Sequence, residues 1–360
     1  MKFVITAGGT AGHINPALAL AEELVARKHE VIFAGTGNRL ESKLVPQSGY
    51  DFIAFDAKGF NRKKPFSIFP SVFSIMKSTT RAKKWLRTVN PDAVIGFGCY
   101  VSIAICRAAK QLNIPYAIHE QNSVMGLANK YLSKNANVTC LTYKHADTGK
   151  CKNVQITGNP VRKSIFDAKF EDGRKLLNVP TDAKMLLVFG GSLGAAKIND
   201  AIVDMSNTLL DRKDLYIVHL TGQGQYDDVL NNLKLDDNKK SRYIVMPYQD
   251  KMGETFAATD MCISRAGAST IAEITARSLP CLLVPYPYAT ENHQFYNAQE
   301  LLNAGCVMLM KDDELRSEKF QQFVVQLVDN EVMRKNMRDA YKKFDAKNSV
   351  KKIADLIENL

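Results

Sequence analysis

Short apolar runs of strand length alternate with stretches whose apolar residues recur every three to four positions, from one end of the chain to the other. In the first half the runs fall at 2–6, 30–34, 51–55, 92–96, 115–118 and 137–141, followed by the triplet Val154-Gln155-Ile156. Leu18, Ala21, Leu24 and Val25 mark one face of the helix between the first two. After Asn159-Pro160-Val161-Arg162, which reads as the start of a linker, the runs resume at 184–189, 215–220, 242–246, 259–263, 280–284 and 306–309. Apolar strands separated by amphipathic helices predict parallel sheets covered on both faces. The stretch from Arg316 to Leu360 reads as helix, with Phe320, Val324, Leu327, Met333, Met337, Tyr341, Ile353 and Ile357 as its spine. The expected class is α/β, and 360 residues fit two doubly wound domains of roughly 150 residues or more each.

Three strand-to-helix turns contain glycine, two of them in runs. The first run ends in Gly8-Gly9-Thr10-Ala11-Gly12-His13, ahead of Asn15-Pro16. Asn15 is expected to cap a helix there, with Pro16 in the first position because it has no N–H to lose. Amides at such a turn favour an anion, and here an imidazole lies beside them. Tight packing alone accounts for the glycines equally well. The second half opens in the same way, with Gly190-Gly191-Ser192-Leu193-Gly194-Ala195 leading into a helical pattern through Ile198, Ile202 and Met205.

The third turn is Ser264-Arg265-Ala266-Gly267-Ala268-Ser269-Thr270-Ile271-Ala272-Glu273. Its glycine permits close approach, and the amides of Ala268, Ser269 and Thr270 can meet a phosphate. Glu273 is read as the acceptor of a ribose diol; the alternative is a capping box with Ser269 or Thr270. His119-Glu120-Gln121-Asn122 can offer an amide to a hydroxylated ligand or form a turn network. Glu291-Asn292-His293-Gln294 suits sugar hydroxyls or is a polar helix entry.

Composition narrows the class. Apolar residues make up 46% and charged residues 24%, ordinary for a soluble globular chain. Seven cysteines are scattered without a Cys-x-x-Cys pair, the usage of a reducing compartment rather than a disulfide framework or zinc site. The first residues enter a strand with no leader pattern, and the longest apolar stretch, 93–106, is too short to span a bilayer. The net charge is +11, yet no recognition helix, finger or RNP motif accompanies it, so nucleic acid is not an expected partner. The positive charge is concentrated instead. Between Asp56 and Asp92 there is no acid, and Lys58, Arg62, Lys63, Lys64, Lys77, Arg81, Lys83, Lys84 and Arg87 interleave with Phe66, Ile68, Phe69, Val72, Phe73, Ile75, Met76 and Trp85.

Gly8-Gly9-Thr10-x-Gly12-His13-x-x-Pro16, His119-Glu120-Gln121-Asn122, Gly158-Asn159-Pro160-Val161-Arg162, Gly190-Gly191-Ser192-x-Gly194-Ala195 and Arg265-x-Gly267-Ala268-x-Thr270-x-x-Glu273 occur in that order. Together they resemble the MurG family, the bacterial N-acetylglucosaminyltransferases that convert undecaprenyl-pyrophosphoryl-MurNAc-pentapeptide (lipid I) to lipid II. The resemblance spans nearly the whole chain, with Ala11 where many relatives have a second glycine and Leu193 where some have glutamine. It implies a GT-B fold: two facing Rossmann-like domains, 1–160 for acceptor and membrane and 161–344 for the donor, with the active site in the cleft. A final helix at about 345–360 is implied to pack back onto the first domain.

The resemblance further implies UDP-GlcNAc as donor and lipid I as acceptor. Ser192 and the amides of Ala268, Ser269 and Thr270 would hold the donor diphosphate, Glu273 the ribose, and Gln294 with Asn122 the GlcNAc ring. Arg162 would be a further donor contact, and Gln249 would lie at the uracil pocket. The acceptor diphosphate would lie near Thr10, Ala11, Gly12 and His13. His13 is the candidate general base for the C4 hydroxyl of MurNAc, since an imidazole with a pKa near ~6.5 is available in neutral form; the alternative is a structural imidazole that bonds the loop or the acceptor diphosphate. An α-linked donor and a β-1,4 product require a single inverting displacement. No cofactor or metal is expected, because helix N-termini can carry the leaving-group charge, and Asp236-Asp237 reads as a solvated turn rather than a metal motif.

Other classes fit less well. A dehydrogenase would need Gly-x-Gly-x-x-Gly and an acid at the end of the second strand, where Phe33-Ala34-Gly35-Thr36 stands. A GT-B enzyme acting on diacylglycerol or a small aglycone is the nearer rival, and a non-catalytic nucleotide-sugar binding module the more distant one. A lipid-linked acceptor places the chain on the cytoplasmic face of the cell membrane as a peripheral protein. Anionic inner-leaflet lipids would meet Arg62, Lys63, Lys64, Phe66, Ile68 and Phe69, and other cell-wall synthesis proteins are possible partners.

Overall fold

The apolar runs pair as parallel strands in two separate sheets. The structure, a computed structural model, describes residues 1–56 and 68–360, with side chains from residue 71 onward in the second span. Two compact units result, Met1–Arg162 with Ala346–Leu360, and Lys163–Asp345.

In the first unit β1 (Lys2–Thr6), β2 (Glu30–Gly35), β3 (Asp51–Ala54), β4 (Ala93–Gly96), β5 (Tyr116–Glu120), β6 (Val138–Leu141) and β7 (Val154–Ile156) lie in the order β3-β2-β1-β4-β5-β6-β7. Every ladder is parallel. The crossovers are α1 (Ala11–Ala26), α2 (Glu41–Gln47), α3 (Ile68–Val89), α4 (Tyr100–Gln111) and α5 (Leu127–Leu132). Successive side chains of β1 go to opposite faces. Phe3 and Ile5 join Leu20, Leu24, Phe33 and Ile353, while Val4 joins Leu86, Val94, Ile105 and Ile118.

The second unit repeats the plan with α6 (Lys163–Asp167), α7 (Phe170–Leu177), β8 (Lys184–Phe189), α8 (Ala196–Leu209), β9 (Leu215–Leu220), α9 (Tyr226–Asn232), α10 (Asp237–Lys240), β10 (Tyr243–Met246), α11 (Met252–Ala257), β11 (Met261–Ser264), α12 (Ala268–Arg277), β12 (Cys281–Leu283), α13 (His293–Asn303), β13 (Val307–Leu309), α14 (Glu318–Asp329) and α15 (Glu331–Ala340). Its six strands lie in the order β10-β9-β8-β11-β12-β13, again all parallel. The last helix, α16 (Ser349–Glu358), belongs to the first unit and packs on α1. Arg27 there reaches Asp355 at 2.6 Å and Glu358 at 2.8 Å. Such partly exposed pairs contribute about 0–1 kcal/mol. Burial of Ile353 and Ile357, worth roughly 1.5–3 kcal/mol each, therefore does more to dock the helix.

Two local expectations are corrected. Helix α1 begins at Ala11 with Thr10 as its N-cap, so Asn15 does not cap it and Pro16 lies inside it. The chain has already reversed at Gly9, whose φ of +89° suits a residue without a Cβ, and the first helical turn falls within the glycine motif itself. Asp236-Asp237 is not a bare turn: the Asp236 carboxylate accepts the Lys239 amide at 2.9 Å and caps α10.

Two buried imidazoles tie stability to pH. His219 on β9 accepts the Tyr243 hydroxyl at Nδ1 (2.8 Å) and donates from Nε2 to Asn199 Oδ1 (3.0 Å). Burial pushes His219 down to about 3 and His119 down to about 4, whereas unfolded imidazoles protonate near ~6.5. The unfolded chain therefore binds more protons below that value, and stability present above it is lost as the pH falls. The melting temperature should drop between pH 6.5 and 5, and the drop should be shallower for His219→Leu, whatever that variant's stability at pH 7; calorimetry at a series of pH values checks this.

Candidate functional site

In a parallel sheet every strand-to-helix loop emerges at the strands' carboxyl ends, where ligands of doubly wound folds sit. In the second unit the loops after β8, β11 and β12 enclose a pocket of about 540 Å³. Gly190, Gly191, Ser192, Leu193, Gly194 and Ala195 form one wall. Gly194 has φ +77°, and a Cβ there would run into the Thr221 carbonyl, so the loop folds this tightly only with glycine. Gly267 and Thr270, at the start of α12, form another wall, and Tyr286, Pro287, Tyr288 and Gln294 close it. Neither N-cap, Ala195 of α8 nor Gly267 of α12, makes a side-chain cap hydrogen bond. Two helix N-termini thus border the pocket with their dipoles favouring an anion.

Two cations sharpen that preference. Asp312 is buried and holds Lys197 Nζ at 2.7 Å and Arg265 Nη1 at 2.6 Å. Burial alone would raise the Asp312 carboxyl, but the hydrogen bonds from Lys197 and Arg265 outweigh it and keep the group below its usual range. Both cations line the pocket, and the Arg265 guanidinium also lies 5.6 Å from the Tyr286 ring centre. The Gln294 carbonyl oxygen accepts the Tyr286 amide at 2.9 Å, which orients its side chain. The pocket thus combines two helix N-termini with two cations, a setting that favours an anion.

In the first unit the loop after β1 is anchored by a buried carboxylate. Glu41 accepts the Gly9 amide at 3.0 Å and the Thr36 amide at 3.0 Å. At the end of β5 the buried Glu120 accepts the Asn122 backbone and side-chain amides (3.1 and 3.3 Å), the Gly126 amide (3.0 Å) and Asn129 Nδ2 (2.9 Å). His13, in the first turn of α1, bonds through Nδ1 to Gln121 Oε1 at 2.8 Å. Gln121 Nε2 in turn meets His119 Nδ1 and the His119 carbonyl, both at 3.1 Å. His119 Nε2 donates to the Gly158 carbonyl at 3.0 Å.

The structure gathers some of the sequence-predicted residues and separates others. Ser192, Thr270 and Gln294 line the pocket of the second unit. Ala268 and Ser269 share the first turn of α12 with Thr270. Glu273 lies in the next turn, three residues on from Thr270 and so on the same helix face. The capping-box alternative for Glu273 is overturned, because the N-cap is Gly267 and neither Ser269 nor Thr270 occupies that position. Gln249 is buried and accepts the Lys251 amide at 2.9 Å, outside the residues lining the pocket. Thr10, Ala11, Gly12, His13 and Asn122 belong to the first unit, as does Arg162, whose buried Nε has no hydrogen-bond partner among the described residues. Sequence reading missed Glu41, Lys197 and Asp312. A lone acid or lysine in a polar stretch carries no periodic or spacing signal; its role comes from what the fold brings against it.

Of the basic, apolar segment, Arg62, Lys63, Lys64 and Phe66 lie outside the described residues, and Ile68 and Phe69 contribute only the backbone that opens α3. Farther along α3, Ala82 and Leu86 are buried on the sheet. Val72, Phe73 and Met76 are instead exposed, Phe73 to 72%. Beside them a shallow groove of about 290 Å³ is lined by Val72, Ile75, Tyr100, Ile103, Arg107 and Tyr131, among others. Among the described residues no helix is long and apolar enough to cross a membrane.

Comparison with known proteins places these features in a family. Residues 3–140 match the glycosyltransferase family 28 N-terminal domain and residues 185–357 its C-terminal domain. The chain is 39% identical over its full length to the UDP-N-acetylglucosamine–N-acetylmuramyl-(pentapeptide) pyrophosphoryl-undecaprenol N-acetylglucosamine transferase of Halothermothrix orenii, covering 99% of that protein. It is 37% identical, with the same coverage, to the enzyme of the same name from Bacillus subtilis. The crystal structure of Acinetobacter baumannii MurG superposes with a TM-score of 0.76 at 26% identity, covering 100% of this chain and 99% of that one. The glycosyltransferase of kitacinnamycin shares the fold alone, with a TM-score of 0.72 at 15% identity and coverage of 99% and 98%. With two Rossmann-like domains, both family domains matched and full-length relatives of one name, the chain belongs to glycosyltransferase family 28, in its UDP-N-acetylglucosamine–N-acetylmuramyl-(pentapeptide) pyrophosphoryl-undecaprenol N-acetylglucosamine transferase branch.

Proposed function

We propose that this chain binds UDP-GlcNAc through the pocket of its second unit and uses the imidazole of its first to activate the acceptor. The reaction is the transfer of GlcNAc from UDP-GlcNAc to the C4 hydroxyl of MurNAc in undecaprenyl-pyrophosphoryl-MurNAc-pentapeptide, with inversion, forming lipid II. The observation that carries the donor assignment is the pocket between two helix N-termini with Lys197 and Arg265 on its wall.

In this reading Ser192 and the amides of Ala268, Ser269 and Thr270 hold the diphosphate, Glu273 the ribose diol, and Gln294 with Asn122 the sugar ring. Gln249 borders the base, and Arg162 is a further donor contact. As the bond from the anomeric carbon to UDP breaks, negative charge grows on the diphosphate, and amides and cations fixed in place stabilise it without reorganising. His13 takes the C4 hydroxyl proton, while Thr10, Ala11 and Gly12 form the loop that meets the acceptor diphosphate.

Docking to the inner leaflet is part of the same proposal, since the acceptor is tethered there. Exposed Val72, Phe73 and Met76 on α3 give an apolar edge beside Lys77 and Arg81, and Arg62, Lys63, Lys64, Phe66, Ile68 and Phe69 extend it in sequence. Each basic residue at an anionic surface contributes about 1 kcal/mol.

Three measurements test this reading. Glu273→Ala should raise the donor KM and weaken UDP binding in calorimetry, with melting temperature and acceptor KM nearly kept; unchanged UDP affinity would remove Glu273 from the donor site. His13→Ala should lower kcat by roughly 10²–10⁴-fold with donor affinity retained, and a loss confined to acceptor KM would make it an acceptor-binding residue instead. Replacing Arg62, Lys63 and Lys64 by Glu together with Phe73→Ser should abolish sedimentation with phosphatidylglycerol or cardiolipin vesicles while UDP still binds; undiminished sedimentation would put the membrane face elsewhere.

A further inference from the structure

We propose that Gln121 and His119 are positioning residues for the transfer: the chain of hydrogen bonds from the Gly158 carbonyl through His119 and Gln121 holds His13 as the Nδ1–H tautomer, so that Nε2 is the atom that accepts the proton. The inference rests on the reading of His13 as the base and adds which nitrogen acts and what fixes it.

Each link follows from what its atoms can donate. A carbonyl only accepts, so His119 Nε2, 3.0 Å from the Gly158 oxygen, carries a hydrogen. A neutral imidazole then has a lone pair at Nδ1. His119 is fully buried and burial pushes it down to about 4, which keeps the ring neutral at cellular pH. Its Nδ1 accepts from Gln121 Nε2 at 3.1 Å. The orientation of the Gln121 amide is set independently, because Nε2 also lies 3.1 Å from the His119 carbonyl, and turning the amide over would place two acceptor oxygens against each other. Oε1 is therefore the atom facing His13 Nδ1 at 2.8 Å. It can only accept, so His13 donates from Nδ1 and keeps its lone pair on Nε2.

The arrangement also supports the charge that transfer creates. As the MurNAc C4 oxygen bonds to the anomeric carbon, its proton passes to His13 Nε2, and the electron pair of the breaking bond leaves on UDP. The imidazolium's Nδ1–H bond to Oε1 becomes charge-assisted and stronger, and the polarised Gln121 amide donates more strongly to His119. Gln121 and His119 are both buried, at 1% and 0% exposure, so the chain is shielded from water. The ionisable groups on neighbouring elements are otherwise engaged: Glu120 with Asn122, Gly126 and Asn129, and Glu41 with Gly9 and Thr36. The acceptor of the His13 proton at Nδ1 is thus a neutral amide rather than a carboxylate.

Nitrogen-15 NMR of histidine-labelled protein at pH 8 reads the tautomer directly. The expected spectrum has His13 protonated at Nδ1 and bare at Nε2 in the full chain, and a mixture of tautomers in Gln121→Leu. A dominant Nε2–H form in the wild type would overturn the proposal. Gln121→Leu should lower kcat by roughly ten- to a thousand-fold, short of the ~10⁴ seen when a triad histidine is held in the wrong tautomer, with UDP affinity kept. His13→Ala combined with Gln121→Leu should turn over no more slowly than His13→Ala alone; additive losses would mean that Gln121 acts through something other than His13. Near-normal turnover of His13→Ala would overturn the base reading and the positioning role together, whereas an Nε2–H spectrum with an inactive His13→Ala overturns the hydrogen-bond chain alone.

Discussion

A parallel ladder cannot be closed by a hairpin, so each strand of both sheets must be followed by a crossover before the next strand can pair. That constraint gathers the loops at the carboxyl ends of β1, β4 and β5 in one unit and of β8, β11 and β12 in the other. It also makes the N-terminus of a helix follow such a loop, as α1 follows β1, α8 follows β8 and α12 follows β11. Backbone amides with a favourable dipole therefore collect at the loop edge of each sheet before any side chain is chosen.

The two units use that edge differently. In the second, the helix N-termini are reinforced by cations, and a buried aspartate holds Lys197 and Arg265 at bonding distance. Without the cations Asp312 would be a desolvated charge beside an anion site; with them, the group carries net positive charge at the pocket wall. In the first unit, buried carboxylates are satisfied by amides: Glu41 by Gly9 and Thr36, Glu120 by the loop that follows it. Glu41 therefore fixes the glycine loop while placing a negative charge behind it.

Neutral hydrogen-bond chains matter as much as charges. His119 and His219 are each buried between one donor and one acceptor, and each is kept neutral by desolvation. His219 ties β9 to β10 and α8 through Tyr243 and Asn199, a structural use of the imidazole. His119 joins the loop of Gly158 to Gln121 and so to His13, which makes the polar stretch at the end of β5 a hydrogen-bonded network that reaches the first turn of α1.

Much of the fold was legible because its signals are local. The strands lie within a residue or two of the apolar runs, since burial on both faces demands near-continuous Val, Ile and Leu, and the glycine turns stand out because few other residues tolerate positive φ. The pocket of the second unit could be read for the same reason: Ser192 and Thr270 are part of the motifs that shape the pocket they line. Helix starts were less legible, as α1 shows, because Asn15-Pro16 is a good local start that the earlier chain reversal at Gly9 overrides. Glu273 could not be assigned from spacing alone, because a capping box and a ligand-facing carboxylate are written with the same residues. The sequence by itself determined the two parallel-sheet units, their glycine loops and the family. Only the tertiary structure decided that Asp312 couples Lys197 to Arg265, that Glu41 anchors the first loop, and that Phe73 faces solvent while Leu86 packs inward. Those relations join residues far apart in the chain, and their energy comes from desolvation and contact, which exist only once the fold has brought the groups together.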